Sequence, residues 1–311
     1  MKNLNKFYQY SFNYFKKIFK IFFSFLLNFL IIIFFYKFKY IKSDKNKLKV
    51  CLCVIGKNEN LYVKEYVEYY KKLGYNNIYI YDNNEINGER FENVIQNEIN
   101  NGFISIINYR GFKAKQFQSY RDCYKNNNNK YDWLSFFDFD EFLVIKPFNI
   151  KIQKFLGNNK FKKCENIKIN WIYYDNYNLY DENKPLAERI KSKIIKNRCI
   201  KSTVRGNLSI NYWSKMENPH TSLNNFISCS SSGKIIDYRS PFNIPPETKY
   251  AYLKYYHIKS FEELCIKMKR GDADSLNQNL NRKLKHFYNL NKKDKNKKKI
   301  MKKIFNISFN I

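Results

Sequence analysis

Two aspartates one residue apart, Asp138 and Asp140, close the apolar run Trp133-Leu134-Ser135-Phe136-Phe137 and are followed by a third acid, Glu141. Carboxylates at this spacing can both face one side of the chain. They offer hard oxygen ligands suited to Mg2+ or Mn2+ and leave other positions to phosphate oxygens. An ion held there neutralises charge that develops on a departing diphosphate. The competing reading of a bare Asp-x-Asp is an acidic turn that solvates a strand end. The setting favours the metal, because the pair follows a β-rich run in a chain with 27 Asp+Glu against 57 Lys+Arg.

The elements ahead of this motif must deliver it to a usable place. Lys49 to Ile55 is an apolar run of the kind expected for a buried strand. Asn60 to Leu73 carries Leu61, Val63, Tyr66, Val67, Tyr70 and Leu73 at helical spacing, and Gly74 stands where a C-cap glycine belongs. Asn77 to Tyr81 reads as a second strand ending in the turn cluster Asp82-Asn83-Asn84. A helix over Phe91 to Ile99, a strand over Gly102 to Tyr109, a helix over Lys113 to Tyr124 and a strand over Trp133 to Phe137 follow. Such alternation argues for parallel strands with crossover helices. Open sheets of that kind bind ligands beyond the carboxyl ends of their strands. Gly56 to Glu59, Asp82 to Asn84 and Asp138 to Glu141 all fall at such ends. Later runs at Ile167 to Tyr173, Ile200 to Val204 and Leu253 to Ile258 read as strands, and Ser260 with Glu263 reads as a capping box for a helix over Phe261 to Arg270.

Ile18 to Tyr36 predicts a transmembrane helix, uncharged from Ile21 onward, or roughly 24 Å at about 1.5 Å per residue. Lys20 and Lys37 lengthen it by snorkelling. Bulky aromatics and lysines follow the span where a cleaved signal would place small residues, so an uncleaved anchor is expected. Lysines flank it on both sides and leave orientation open. The net charge of +30 is spread along a chain rich in Lys, Asn, Ile, Phe and Tyr. Those are residues of A/T-rich codons, so no nucleic-acid partner is expected. Seven cysteines without a CxxC pair indicate no zinc site, and Cys51 and Cys53 read as small buried residues on one strand face.

Val54-Ile55-Gly56-Lys57-Asn58-Glu59, Tyr66, Leu73-Gly74 and Ile78-Tyr79-Ile80-Tyr81-Asp82-Asn83 resemble the opening of glycosyltransferase family 92 domains. Gln116, Tyr120, Arg121-Asp122-Cys123 and Trp133 to Phe142 are similar to the next block of that family. Lys201-Ser202 ahead of His220 is similar to a later block. Tyr256-His257-Ile258-Lys259-Ser260 with Glu262, Lys267, Arg270 and Gly271 is similar to the closing one. The resemblance implies an α/β GT-A fold: a Rossmann-like, mostly parallel sheet with flanking helices, here preceded by the transmembrane helix. It also implies a nucleotide-sugar donor and transfer with inversion. Lys57, Asn58, Glu59 and Asp82 would contact the nucleoside, and Asp138 and Asp140 would hold the Mn2+ or Mg2+. Where family members often carry a Gly/Ser-rich stretch after the middle tryptophan, Trp171 is followed by Tyr173-Tyr174-Asp175-Asn176, which implies an altered acceptor pocket.

His257, beside the capped helix, is either a third metal ligand or a packed residue. His220 is a candidate for acceptor or metal, and His286 reads as inert. Glu141 and Asp175 are the leading candidates for the general base that an inverting transfer needs, with Glu182 and Glu217 behind them. Arg121, Lys259 and Arg270 are either diphosphate ligands or surface charge. The expected organisation is a basic segment 1–17, an anchor 18–36, a stem 37–48, a GT-A domain 49–290 and a basic tail 291–311. The expected enzyme is a single-pass membrane glycosyltransferase acting on a glycan or glycoconjugate, in the Golgi or secretory pathway of a eukaryote or the inner membrane of a bacterium. A metal-dependent nucleotidyl or phosphoryl transferase and a non-catalytic, membrane-tethered polyanion-binding module are the alternatives.

Overall fold

The computed structural model describes residues 48–174, 184–190, 193–208, 227–237, 240–256 and 258–270, all within the unit Lys45–Ile311. The expected anchor at 18–36 and the tail at 291–311 lie outside these residues, as do Asp175, Glu182, Glu217, His220, His257 and His286. Among the described residues no helix is long and apolar enough to cross a membrane.

The strands are β1 (Val50–Gly56), β2 (Asn77–Asp82), β3 (Ile104–Asn108), β4 (Trp133–Phe136), β5 (Glu141–Ile145), β6 (Asn166–Tyr174), β7 (Lys193–Arg205), β8 (Ser228–Ser230) and β9 (Ala251–Tyr255). They form one sheet in the order β3-β2-β1-β4-β7-β6-β9-β5, with β8 added beside β6. The four strands from β3 to β4 pair in parallel. Beyond them the sheet is mixed: β7 is antiparallel to both β4 and β6, β9 is parallel to β6, and β5 is antiparallel to β9. The expected α/β sheet with flanking helices is present, and its parallel character belongs to the first half.

Strand β1 shows how the residue pattern makes the layers. Val50, Leu52 and Val54 face one side and Cys51, Cys53 and Ile55 the other, as strand alternation requires, and all seven residues are buried. The first face packs against α1 (Asn60–Leu73) through Tyr62, Val63, Tyr66, Val67 and Tyr70, residues that recur at helical spacing. The helix stops at Gly74, whose φ of 101° is a left-handed conformation that glycine adopts without strain. The second face packs against α3 (Gln116–Asn127) through Tyr120, Cys123 and Tyr124. Between these helices in chain order, α2 (Glu92–Asn100) packs into the same core as α1 through Ile95. Short helices α4 (Ile152–Leu156) and α5 (Leu186–Arg189) precede α6 (Phe261–Arg270). Ser260 Oγ accepts from Glu263 N at 2.9 Å, the cap expected for α6.

The reading of Cys51 and Cys53 as a matched pair of buried residues needs correction. Cys51 is a buried thiol, but Cys53 is disulfide-bonded to Cys123 of α3, with Cα atoms 6.4 Å apart. A second disulfide, Cys164–Cys229, joins the residues just before β6 to β8. The first closes a separation of 70 residues. The double substitution Cys53→Ala with Cys123→Ala is therefore expected to lower unfolding stability by about 2–4 kcal/mol. The check is a urea titration of both proteins without reductant; coincident midpoints contradict the covalent tie.

Candidate active site

The acidic motif sits at the carboxyl end of β4, the last strand of the sheet's parallel half, where it meets antiparallel β7. The residue between the aspartates fixes the loop that carries them, with Asp138 partly exposed and Asp140 buried. Phe139 is buried, 4.8 Å centroid to centroid from Tyr66 and stacked on Phe91 at 5.5 Å. Its ring lies so close over Gly56 that a β-carbon there would stand 2.3 Å from it. Phe139 thus anchors the loop inward between Asp138 and Asp140. Helix α1 holds the backbone around it. Tyr70 Oη donates to Glu141 O at 2.8 Å, accepts from Leu143 N at 3.2 Å, and Tyr69 Oη donates to Leu143 O at 2.6 Å.

Asp138 is held at both oxygens. Oδ1 accepts from Gln116 Nε2 at 2.8 Å and from Tyr120 Oη at 2.7 Å, both on the sheet-facing side of α3. Oδ2 accepts from Lys201 Nζ at 2.7 Å. Burial, followed by the Asp138 and Glu141 carboxylates, pushes the Tyr120 phenol far above its ordinary value, so it is a fixed donor. Lys201 reaches Asp138 because β7 runs antiparallel to β4 with Ser202 opposite Phe136. That register sets Lys201, within β7, opposite the residue that follows β4, level with the loop. The Lys201 side chain has no exposed surface. Burial alone would lower its pKa, but Asp138 and then Glu141 overcome that and hold it above the ordinary lysine value.

Asp140 Oδ2 accepts from Lys267 Nζ of α6 at 2.7 Å, and Asp140 O accepts from Tyr256 N at 2.8 Å just after β9. Glu141 opens β5 and is fully buried. Its Oε2 accepts from Asp138 N at 2.9 Å, and its Oε1 stands 3.8 Å from Lys201 Nζ. Burial pushes Glu141 well above the usual carboxylate range, Lys201 opposes the rise and Asp138 adds to it. The Lys201 ammonium therefore belongs foremost to Asp138, its closer partner. A base role for Glu141 would require an acceptor hydroxyl to reach a carboxyl with no exposed surface. Its carboxylate lies beneath the loop, where it accepts the Asp138 N–H.

The neighbouring strand ends form a second group. Asp82 Oδ2 pairs with Arg110 Nη1 at 2.5 Å, and Oδ1 accepts from Asn84 N and Nδ2 at 3.0 and 2.7 Å. Arg110 also donates to the carbonyls of Glu85, Ile86, Gly88 and Glu89, tying the whole turn to Asp82. Asn58, in a left-handed conformation at φ 55°, donates its N–H to Asn84 Oδ1 at 2.7 Å. Lys57 Nζ pairs with exposed Glu85 at 2.5 Å. Glu59 is buried, and its Oε2 lies 3.3 Å from Lys259 Nζ, which also contacts Glu263 Oε1 at 3.4 Å and sits 3.5 Å above the Tyr62 ring. Lys259 is thus buried between two carboxylates and a tyrosine ring. Arg121 is exposed on α3, one position beyond Tyr120. The side chain of Arg270 lies outside the described residues.

The donor set at the acidic loop suits Mg2+ or Mn2+, which binds through one or two carboxylates plus phosphate oxygens and water. Among the described residues no three His, Cys, Asp or Glu side chains converge to hold an ion by themselves. The residues fit an ion that arrives with a phosphate ligand.

The sequence model of glycosyltransferase family 92 matches residues 46–284 of the 311. The chain belongs to glycosyltransferase family 92. A family 92 protein of Ricinus communis is 27% identical over 121 residues, 39% of this chain and 20% of that one. Another, of Oryza sativa subsp. japonica, is 27% identical over 114 residues, 36% of this chain and 19% of that one. The aligned stretch spans about a fifth of the length of these curated relatives. Among solved structures, S. aureus TarS aligns at a TM-score of 0.30 and 11% identity, over 44% of this chain and 23% of that one. The mannosyltransferase PcManGT from Pyrobaculum calidifontis, solved in complex with GDP-Man and Mn2+, aligns at 0.29 and 12%, over 45% and 42%.

Gln116, Tyr120, Lys201 and Lys267 are the contacts that sequence reasoning left unassigned. Each lay within a family-like block, but no local pattern tied it to Asp138 or Asp140. The packing of Gly56 against Phe139 gives a direct test of how the loop is placed. Gly56→Ala is expected to cost about 1–3 kcal/mol by overpacking, and Phe139→Leu in the same chain to recover part of that loss. A double-mutant cycle in urea measures the coupling; additive losses contradict the contact.

Proposed function

We propose that this chain is a membrane-anchored, metal-dependent glycosyltransferase that moves a sugar from a nucleotide-sugar donor to a glycan or glycoconjugate acceptor, with inversion. The observation that carries this reading is the pair Asp138 and Asp140 at the carboxyl end of a parallel strand, beside the ordered turns at Lys57 to Glu59 and Asp82 to Gly88. Mn2+ or Mg2+, when bound, stabilises the negative charge of the departing nucleoside diphosphate. The protein's own share is positioning. Gln116, Tyr120 and Lys201 fix the Asp138 carboxylate, Phe139 fixes the backbone between the aspartates, and Arg110 keeps the Asp82 turn rigid. Such preorganisation is what makes electrostatic stabilisation effective.

Glu141 being enclosed, we assign the base role to Asp175. It directly follows β6, and β6 runs parallel to β4 because both are antiparallel to β7. The two strands therefore end toward the same edge of the sheet. The disulfides Cys53–Cys123 and Cys164–Cys229 favour an oxidising compartment for this domain. They support a lumenal or periplasmic placement beyond an anchor at 18–36, an orientation that the flanking lysines leave open.

The test is a panel of nucleotide sugars, assayed for release of nucleotide with Mn2+, with Mg2+ and with chelator, using Asp138→Asn with Asp140→Asn as control. Release from one donor, dependent on the ion and reduced about 100-fold or more in the control, is expected. Undiminished release by the control contradicts the assignment.

A further inference from the structure

Each aspartate of the acidic loop already carries an ammonium group: Lys201 on Asp138 and Lys267 on Asp140, both at 2.7 Å. The two lysines are not equivalent. Lys201 rises from a central strand, has no exposed surface and faces both Asp138 and Glu141. Withdrawing it would strand charges in the interior, which is strongly unfavourable. Lys267 comes from the later turns of α6, keeps 17% of its side chain exposed and reaches Asp140 on a flexible four-carbon stem. Two aspartates and two lysines balance in charge. A divalent ion added at the same oxygens would sit within a few ångströms of an ammonium, where like charges repel strongly.

We propose that Lys267 is the resident cation of Asp140, holding the position of the divalent ion in the resting protein and yielding it when the ion arrives. This rests on the reading of Asp138 and Asp140 as the metal site. The acidic loop is then stable without an ion, and metal affinity is set by competition with a lysine. An anion that accompanies the ion, such as a nucleoside diphosphate, gives the released ammonium a new partner. Lys267 is thus a positioning residue that couples ion entry to phosphate binding.

The test measures Mn2+ binding to the full chain by electron paramagnetic resonance, with no donor present. Lys267→Met removes the charge and keeps most of the stem; it is expected to bind Mn2+ about tenfold or more tightly than the unaltered protein, the scale of one charged hydrogen bond. Lys267→Arg keeps the charge and is expected to show no such gain. On the unaltered chain, reductive methylation of Lys267, read by mass spectrometry, is expected to accelerate when Mn2+ is added. Equal affinities for the Met variant and the unaltered protein, with Asp140→Asn abolishing binding, would overturn the competition and leave the metal site standing. An equal gain in the Met and Arg variants, or methylation indifferent to Mn2+, also overturns it. Absence of saturable Mn2+ binding in every protein, restored equally in all of them by added nucleoside diphosphate, overturns the competition and leaves the metal site standing; absence with the diphosphate present as well sinks both.

Discussion

Beneath the acidic loop lies a lysine ammonium with no exposed surface, 2.7 Å from Asp138 Oδ2 and 3.8 Å from Glu141 Oε1. Three acids within four residues at a strand end would repel one another and resist burial. Lys201 makes that sequence tolerable, and it does so from β7, a strand that belongs to the second, mixed half of the sheet. The two halves are therefore electrostatically dependent. The parallel strands bring the acidic loop to the ligand edge, and the antiparallel neighbour of β4 supplies the charge that lets it stay there. Phe139 adds the steric counterpart by locking the middle of the loop onto Gly56 and Tyr66.

The same logic governs the turn after β2. Arg110 neutralises Asp82 and binds four carbonyls of the segment from Glu85 to Glu89, so the turn is shaped by one guanidinium. Buried Asp82 is consequently a scaffold for the loop surface rather than an open acceptor. Glu59 is likewise spent on Lys259. What these loops present to a ligand is an ordered backbone with Lys57 and Asn58 at its rim, and the charges inside serve to fix its form.

Local features of the chain were legible in proportion to how local their causes are. The helix from Asn60 to Leu73 and its glycine cap follow from apolar spacing and a left-handed conformation, and both stand as read. Strand ends at Asp82 and before Asp138 were marked by turn-forming and acidic residues. Glu141 to Ile145 was not read as a strand, because an acidic residue opens it and its partner β9 lies far along the chain. Lys201 and Lys267 stand 63 and 127 residues from their aspartates, and only sheet register and helix packing bring them there. Cys53 and Cys123 are similarly remote, and strand alternation correctly gave burial but not the bond. Family resemblance carried what periodicity missed: Gln116, Tyr120, Lys201 and Lys267 all lie in its blocks, though without roles.

The proposed transfer requires an ion and a diphosphate to meet at Asp138 and Asp140. Crystals of the domain grown with Mn2+ and a nucleoside diphosphate, with data collected at the manganese absorption edge, test this most directly. The expected result is an anomalous peak within about 2.5 Å of an Asp140 carboxylate oxygen and of a phosphate oxygen. A nucleotide bound without manganese at these aspartates, or manganese bound elsewhere on the sheet, would contradict the account.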